Sequence, residues 1–290
     1  MTIAARPLTT TDQLRCAVRV QTAVLGSHTG SVWQLPHLVD VTQTGGLVLG
    51  AYVDAGTPSE SCQGVVVDLV ADVDGYPARR TVSWSVPAAR ANRGLGTLLR
   101  EAERRLHQKT GVDLVYWDID PLNSPGLHVS LNKLGGIATG FTQEATGGAQ
   151  DALAPGLGTD RLRLEWWIDS PRVIQRMDDR RSLPHEAVGL HEMTVLTTTT
   201  LRPSGVRGLM DDVRPPESKY ALMEIPESLS DVEARDRDAA IQWRLRSRSV
   251  LAQLFAAGYL GVGLIHEGGR TFLVFKQGTR RTELSAAQRR

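Results

Sequence analysis

Gly94 and Gly96 stand in the stretch RANRGLGT, residues 90–97, just after the run TVSWSV and at the entry to an amphipathic helical pattern. A helix start leaves main-chain N–H groups without acceptors and places the positive end of the dipole beside them, so it is a ready anion site. Glycine lets an anion approach backbone that a Cβ would shield. Asn92 is one of the few other residues that accept left-handed geometry. Arg90 and Arg93 offer charge-assisted bonds to phosphate oxygens, and the amides of Leu95 and Thr97 complete the donor set. The same letters also spell a tight turn with two solvated arginines, and spacing alone leaves both readings open.

Groups able to move protons come later. His128 has an ordinary pKa of about 6.5, suited to acid or base work at neutral pH. Asn132 follows one helical turn on, on the same face. The alternative for His128 is a structural histidine at a helix interface. Asp118 and Asp120 bracket the end of an apolar strand pattern. A carboxylate there either orients a substrate ammonium or caps the following segment. Arg161 either grips a substrate carboxylate with both nitrogens or pairs with Asp160 at the surface. Trp166 and Trp167 are adjacent in a strand pattern, so they face opposite sides. One belongs to the core and the other to a pocket or an interface. Trp166 joins Arg161 and Asp118 as a candidate substrate contact.

These residues need a scaffold. Residues 2–8 read as a strand and 9–26 as a helix, capped by Thr10 or Thr11 and ended by Gly26, with Leu14, Cys16, Ala17, Val20 and Val24 on its apolar face. Strands follow at 46–53, 64–70 and 80–86, then a helix whose Leu95, Leu98, Leu99, Ala102 and Leu106 face inward while Arg100, Glu101, Arg104 and Arg105 face out. A buried strand at 112–119, a short helix at 126–136 and a strand at 160–168 complete this part. The polar, proline-bounded stretch 169–186 reads as a boundary. Beyond it come strands near 193–201 and 220–226 and one long helix over 231–259, striped by Ile241, Leu245, Leu251, Leu254 and Phe255. A hairpin turning at HEGGR and a frayed basic tail end the chain.

Composition narrows the classes. The 290 residues are 41% apolar and 22% charged, enough for a buried core in one large or two modest domains. A net charge of +1 gives no general attraction to nucleic acid or membrane. The first residues lack an apolar signal core, and no apolar run is long enough to span a bilayer, so the cytoplasm is the expected location. Cys16 and Cys62 are the only cysteines. They lack the spacing of a zinc cluster, and with Cys16 on an apolar helix face and Cys62 in a turn, neither reads as a nucleophile. No Ser-His-Asp or Cys-His arrangement is evident, and no metal is expected.

The order strand, helix, strands, strand–glycine turn–helix, strand, helix, strand resembles the GCN5-related N-acetyltransferase (GNAT) fold, over roughly residues 1–168. Gly94 and Gly96 match the two glycines of that family's pyrophosphate loop, (Q/R)xxGx(G/A). The stretches DPLNSPGLHVSLNKLGG, GTDRLRLEWW and the long C-terminal helix are similar to a bacterial GNAT subfamily with a C-terminal extension, some of whose members N-acylate amino acids. The resemblance implies an α+β fold with a mixed, mostly antiparallel sheet flanked by helices, an acyl-CoA-binding domain over 1–170 and an α/β extension over 171–290. It implies acetyl-CoA or another acyl-CoA as co-substrate and a small amine or amino acid as acceptor, attacking directly in a ternary complex; a homodimer stays open. It also implies that the fourth and fifth strands splay and that the backbone of Trp84, Ser85 and Val86 pairs with the pantetheine arm. His128 then falls near the thioester, with Asn132 and Asp120 beside it in the catalytic set. Three departures count against transfer chemistry: Ala91 stands at the Q/R position, Asn92 stands where a further glycine is common, and Leu131 stands where a general-acid tyrosine is common. The other reading is therefore a GNAT-fold binding module or a protein of altered chemistry.

Overall fold

The computed structural model describes residues 2–26, 32–87, 94–145, 158–181 and 192–278. The chain forms two compact units, residues 1–117 and 118–290. Arg90, Asn92 and Arg93 lie outside the described residues, as do the end of the expected boundary segment and the basic tail.

In the N-terminal unit the elements run β1 (Ile3–Pro7), α1 (Thr11–Leu25), α2 (Leu35–Gln43), β2 (Leu47–Val53), β3 (Ser61–Val73), β4 (Tyr76–Ser85), α3 (Leu95–Lys109) and β5 (Leu114–Ile119), the last ending past the division. The strands lie in sequence order; β1 to β4 pair antiparallel and β5 joins β4 in parallel. Thr10 caps α1 through a reciprocal box with Gln13, and Gly26 stops it at φ +83°. Helices cover both faces of the sheet. Leu14, Ala17 and Val20 of α1 and Leu38 and Val41 of α2 pack against Val48, Val65 and Val67. Leu95, Leu99 and Ala102 of α3 pack on the other face against Leu49, Ala51 and Val66. The strand alternation of β2 and β3 explains this, since successive residues serve opposite layers.

The C-terminal unit contains a short helix Ser124–Leu127, α4, which widens into a π-helical turn, His128–Lys133. Then come β6 (Ile137–Thr142), β7 (Arg161–Trp167), helix α5 (Pro171–Val173) with its own π-helical continuation, strands β8 (Thr194–Val195), β9 (Thr197–Leu201), β10 (Arg207–Val213) and β11 (Tyr220–Ile225), helices α6 (Leu229–Arg235) and α7 (Arg237–Ala256), and the hairpin β12 (Tyr259–Glu267) and β13 (Arg270–Gln277). The strand order is β7-β6-β12-β13-β11-β8, with β9 and β10 a separate ribbon. Gly268 and Gly269 both have positive φ and make the expected tight hairpin turn. No helix among the described residues is long and apolar enough to cross a membrane.

The architecture is the expected mixed, mostly antiparallel α+β arrangement, but several local readings are corrected. The units divide within β5 rather than at 170. Part of the reason is Gly261, which pairs β12 with Ala138 of β6 so closely that a Cβ on it would stand 2.8 Å from the Ala138 Cβ. Strands β6 and β7 thus share a sheet with the C-terminal hairpin. The single long helix is two helices, broken at Asp236, whose carboxylate caps the second by accepting from the Ala239 N–H at 2.9 Å. Ile241 and Leu245 are exposed, and the buried stripe of α7 runs instead through Trp243, Arg244, Ser247, Val250, Leu251 and Leu254. Arg100 and Arg104 are buried rather than outward-facing.

Candidate active site

Strand β4 pairs with β5 at only three positions, Ala78↔Leu114, Arg79↔Val115 and Arg80↔Tyr116. Beyond Arg80, β4 runs on to Ser85 and β5 runs on to Ile119. Among the described residues the β4–β5 ladder therefore ends at Arg80↔Tyr116, while β4 stays paired to β3 on its other edge as far as Val65↔Ser85. A bulge helps: the ladder passes from Val67↔Ser83 to Asp68↔Thr81, leaving Val82 unpaired. The step switches the alternation, so that Trp84 and Val86 pack on the α3 face and Ser85 is buried with its hydroxyl 3.2 Å from Ser83 Oγ.

Helix α3 begins beside this opening. Gly94 is its N-cap, in left-handed geometry at φ +76°, and no side chain among the described residues caps the helix. The first intrahelical bond runs from Leu98 N–H to Gly94 C=O at 2.9 Å, so the amides of Leu95, Gly96 and Thr97 have no acceptor within the helix. No acidic residue lies in that turn. The two glycines serve different ends. A Cβ on Gly94 would meet nothing within 4 Å, so only its backbone angle demands glycine, whereas a Cβ on Gly96 would come 3.4 Å from Cζ2 of Trp84. The Trp84 indole lies under the first turn, and its N–H is buried without a hydrogen-bond partner among the described residues.

Deeper along the same helix, sequence reading missed a buried polar cluster. The Arg100 guanidinium lies 4.3 Å from the centroids of both Trp84 and Trp117, two rings packed edge to face. Its Nη1 donates to both Glu103 oxygens at 2.8 Å and to Thr81 Oγ1 at 3.0 Å. Thr81 donates to Asp68 Oδ1 at 2.7 Å, and Asp68 Oδ2 lies 3.0 Å from His107 Nε2. Burial pushes the Glu103 carboxyl well above its ordinary range; Arg100 opposes that and Asp68 adds to it. Asp68, Glu103 and His107 have ligand-type atoms within 4.8 Å of one another, but Arg100 already supplies counter-charge and Thr81 takes an Asp68 oxygen. The spacing of Arg100, Glu103 and His107, three and then four residues apart, was the available signal, since it puts them on one helix face.

The remaining candidates lie in the C-terminal unit, and most are held by protein partners. Asp120 accepts the Leu122 N–H at 2.8 Å, as the capping alternative requires, and is gripped by both terminal nitrogens of the buried Arg244 at 2.7 and 2.6 Å. Asn132 donates to Leu264 C=O at 2.8 Å and accepts from Leu264 N–H at 2.7 Å, so its whole carboxamide is spent clamping β12. Arg161 donates to the carbonyl of Asp160, whose carboxylate belongs instead to Arg248 at 2.8 Å. Asp118 is exposed, 3.7 Å from Arg163. Trp166 is fully buried and donates to Leu134 C=O at 3.0 Å, which makes it core rather than a substrate contact; Trp167 is the half-exposed neighbour, donating to Glu165. Leu131, at the tyrosine position, is also core. His128 is exposed and lines a cavity of about 440 Å3 with Ser124, Asn132, Glu227, His266 and Thr271.

No family model matches the chain, and no curated protein matches it. Solved structures do. The ribosomal-protein-S18-alanine N-acetyltransferase of Escherichia coli is similar at 14% identity and a TM-score of 0.45, covering 58% of this chain and 94% of its own. An N-acetyltransferase of Staphylococcus aureus Mu50 is similar at 10% identity and a TM-score of 0.46, over 58% of this chain and all of its own. A GNAT-family acetyltransferase of Streptococcus pneumoniae is similar at 13% identity and a TM-score of 0.45, over 57% of this chain and 98% of its own. Identities this low carry no residue and no activity across.

Proposed function

We propose that this chain is an acyl-CoA-dependent N-acyltransferase of the GNAT type, acting on a small amine or amino acid. The observation that supports this best is the end of the β4–β5 ladder beside a helix start whose cap is a left-handed glycine and whose first amides meet no capping side chain among the described residues. An unpaired strand edge suits an extended amide-bearing chain, which can add to it as a further strand. The bare turn suits the diphosphate of coenzyme A. The donor set therefore fits the group: Leu95, Gly96 and Thr97 would hold phosphate oxygens through their main chain, and residues 84–86 would offer the strand edge. An acyl thioester supplies an electrophilic carbonyl there.

The chain's own contributions are binding, orientation and proton handling. The indoles of Trp84 and Trp117, with Arg100 between them, make a stiff wall of ring faces and fixed positive charge on the α3 side of the parted strands. Of the three residues read as catalytic, Asp120 and Asn132 hold structural bonds, which leaves His128 as the proton-transfer candidate. An amine nucleophile must reach the carbonyl uncharged, and an imidazole is the kind of group that serves as base for that step.

A binding module is the second reading. It is favoured by the engagement of Asp120 and Asn132 and by Arg100 occupying the space between the two indoles. A thiol-release assay over a panel of acyl-CoAs and amino acids, with mass spectrometry of the products, separates the two. Acyl transfer to an amine, reduced at least tenfold by His128→Ala, supports the transferase. No release with any donor, in protein that still binds coenzyme A, supports the module.

A further inference from the structure

A cavity of about 470 Å3 opens in the C-terminal unit, within the range of roughly 300–1,000 Å3 usual for small-molecule sites. Its walls come from the β9–β10 ribbon, the end of β11, helix α6 and the turn between β12 and β13. The ribbon is tied to α7. Arg202 Nε donates to Asp236 Oδ2 at 2.8 Å, Ser204 Oγ donates to the same oxygen at 2.7 Å, and the Trp243 indole N–H donates to the Arg207 carbonyl at 2.8 Å. None of the residues lining this cavity is among the candidates for acyl transfer.

Six charged side chains line it, three of each sign: Arg207, Arg235 and Arg270 against Glu224, Glu227 and Asp231. One of these pairs is spent internally, Arg270 on Glu224. Glu224 is only 2% exposed. Its Oε2 accepts from Arg270 Nη2 and, at 2.7 Å, from Thr199 Oγ1, while no described residue donates to its Oε1. A carboxylate oxygen held at that depth has room for a donor and loses stability without one. Arg207 bonds the same hydroxyl. Its Nη1 donates to Thr199 Oγ1 at 3.3 Å, and its Nε and Nη2 meet no acceptor among the described residues. Thr199 thus bridges a carboxylate and a guanidinium that form no ion pair with each other, and each keeps bonding capacity to spare.

We propose that this cavity binds a zwitterionic amino acid with an uncharged, apolar side chain. The ammonium group donates to Glu224 Oε1, and the carboxylate accepts from the unspent nitrogens of Arg207. Opposite charges on one small carbon match opposite charges bridged by one hydroxyl. Because the lining carries three charges of each sign, a ligand of zero net charge leaves neither sign in excess. Val206, Ile225 and Val232 are buried in the lining and give the side chain apolar surface. Trp243 adds only ring surface, since its N–H is already spent. The site stands apart from the transferase reading, because it concerns binding with no acyl donor present.

The test is calorimetric titration of the full chain, without any acyl-CoA, with L-leucine and its two half-molecules, 3-methylbutylamine and 4-methylpentanoate. The expected result is saturable binding of L-leucine at one site, with each half-molecule weaker by about tenfold or more. L-lysine and L-glutamate should bind more weakly than L-leucine, since each brings a net charge. Arg207 is exposed, so Arg207→Met leaves the fold in place and should weaken L-leucine while barely changing the amine. Glu224→Gln should weaken both, and the wild-type comparisons stand on their own should that variant not fold. The proposal is overturned if L-leucine does not bind, if either half-molecule, L-lysine or L-glutamate binds as tightly, or if Arg207→Met binds L-leucine like wild type. Failure here leaves coenzyme A binding untouched, and failure of coenzyme A binding leaves this site untouched.

Discussion

Arg244 holds Asp120 with two parallel bonds, Nη1 to Oδ1 at 2.7 Å and Nη2 to Oδ2 at 2.6 Å. Arg244 is almost fully buried on α7, while Asp120 follows the end of β5 and turns the chain into α4 by accepting the Leu122 N–H. A carboxylate that sequence reading offered as catalytic is thus a tie between the start of the C-terminal unit and its longest helix.

That tie sets the first prediction. Asp120→Ala strands a buried guanidinium, which typically costs about 3–5 kcal/mol. Urea denaturation should show a loss of that size, and replacing Arg244 by Met as well should recover part of it. A catalytic carboxylate would behave the other way: Asp120→Asn would leave stability nearly intact and abolish turnover.

Asn132 makes a parallel case. Asn132→Leu removes both bonds to Leu264 and leaves a strand N–H and C=O buried without partners, at about 1–3 kcal/mol for each. Stability should fall while turnover per folded molecule stays within about twofold. A drop in kcat without a drop in stability would return Asn132 to the catalytic set.

The glycines of the α3 start should separate in effect. Gly94→Val forces a β-branched residue into φ +76°, a strain of about 1–3 kcal/mol that no neighbouring atom adds to. It should shift the first turn of α3 and weaken coenzyme A binding. Gly96→Ala keeps the helix but presses a methyl against Trp84, so its signature is a change in tryptophan fluorescence with little change in backbone stability.

Glu103 predicts a pH dependence. Its folded carboxyl titrates well above the ordinary value of 4.5, chiefly through burial. The unfolded chain therefore releases this proton first, and stability falls as pH rises from about 4.5 toward the folded value. Glu103→Gln cannot titrate. Its stability, measured by denaturation at a series of pH values, should fall less steeply across that window than wild type. Parallel curves for the two would contradict the assignment.

Legibility in the sequence followed local rules. Thr10 with Gln13, Gly26, and the Gly268–Gly269 turn act through bonds within a few residues, and each element they bound was readable. Helix α2 was not, because only Leu38 and Val41 of it are buried and Pro36 at its start reads as a breaker. Strand β6 was missed because Gly140 and two threonines give it little alternation. The site residues failed for a related reason. Arg100, Arg244, Asp120 and Asn132 are polar letters with partners far away in sequence, so periodicity sent Arg100 outward, nothing singled out Arg244, and chemistry sent Asp120 and Asn132 to an active site. Only tertiary contacts reveal that all four are spent inside the protein.

The central claim is that the start of α3 and the parted strands beside it receive an acyl-CoA. Calorimetric titration of the full chain with acetyl-CoA tests it most directly, in wild type and Gly94→Val at two salt concentrations. The account predicts saturable binding in wild type, weaker at higher salt because phosphate contacts dominate, and a loss of at least tenfold in the variant. Wild-type protein that takes up no acetyl-CoA or succinyl-CoA, or a folded Gly94→Val that binds as tightly as wild type, would contradict it.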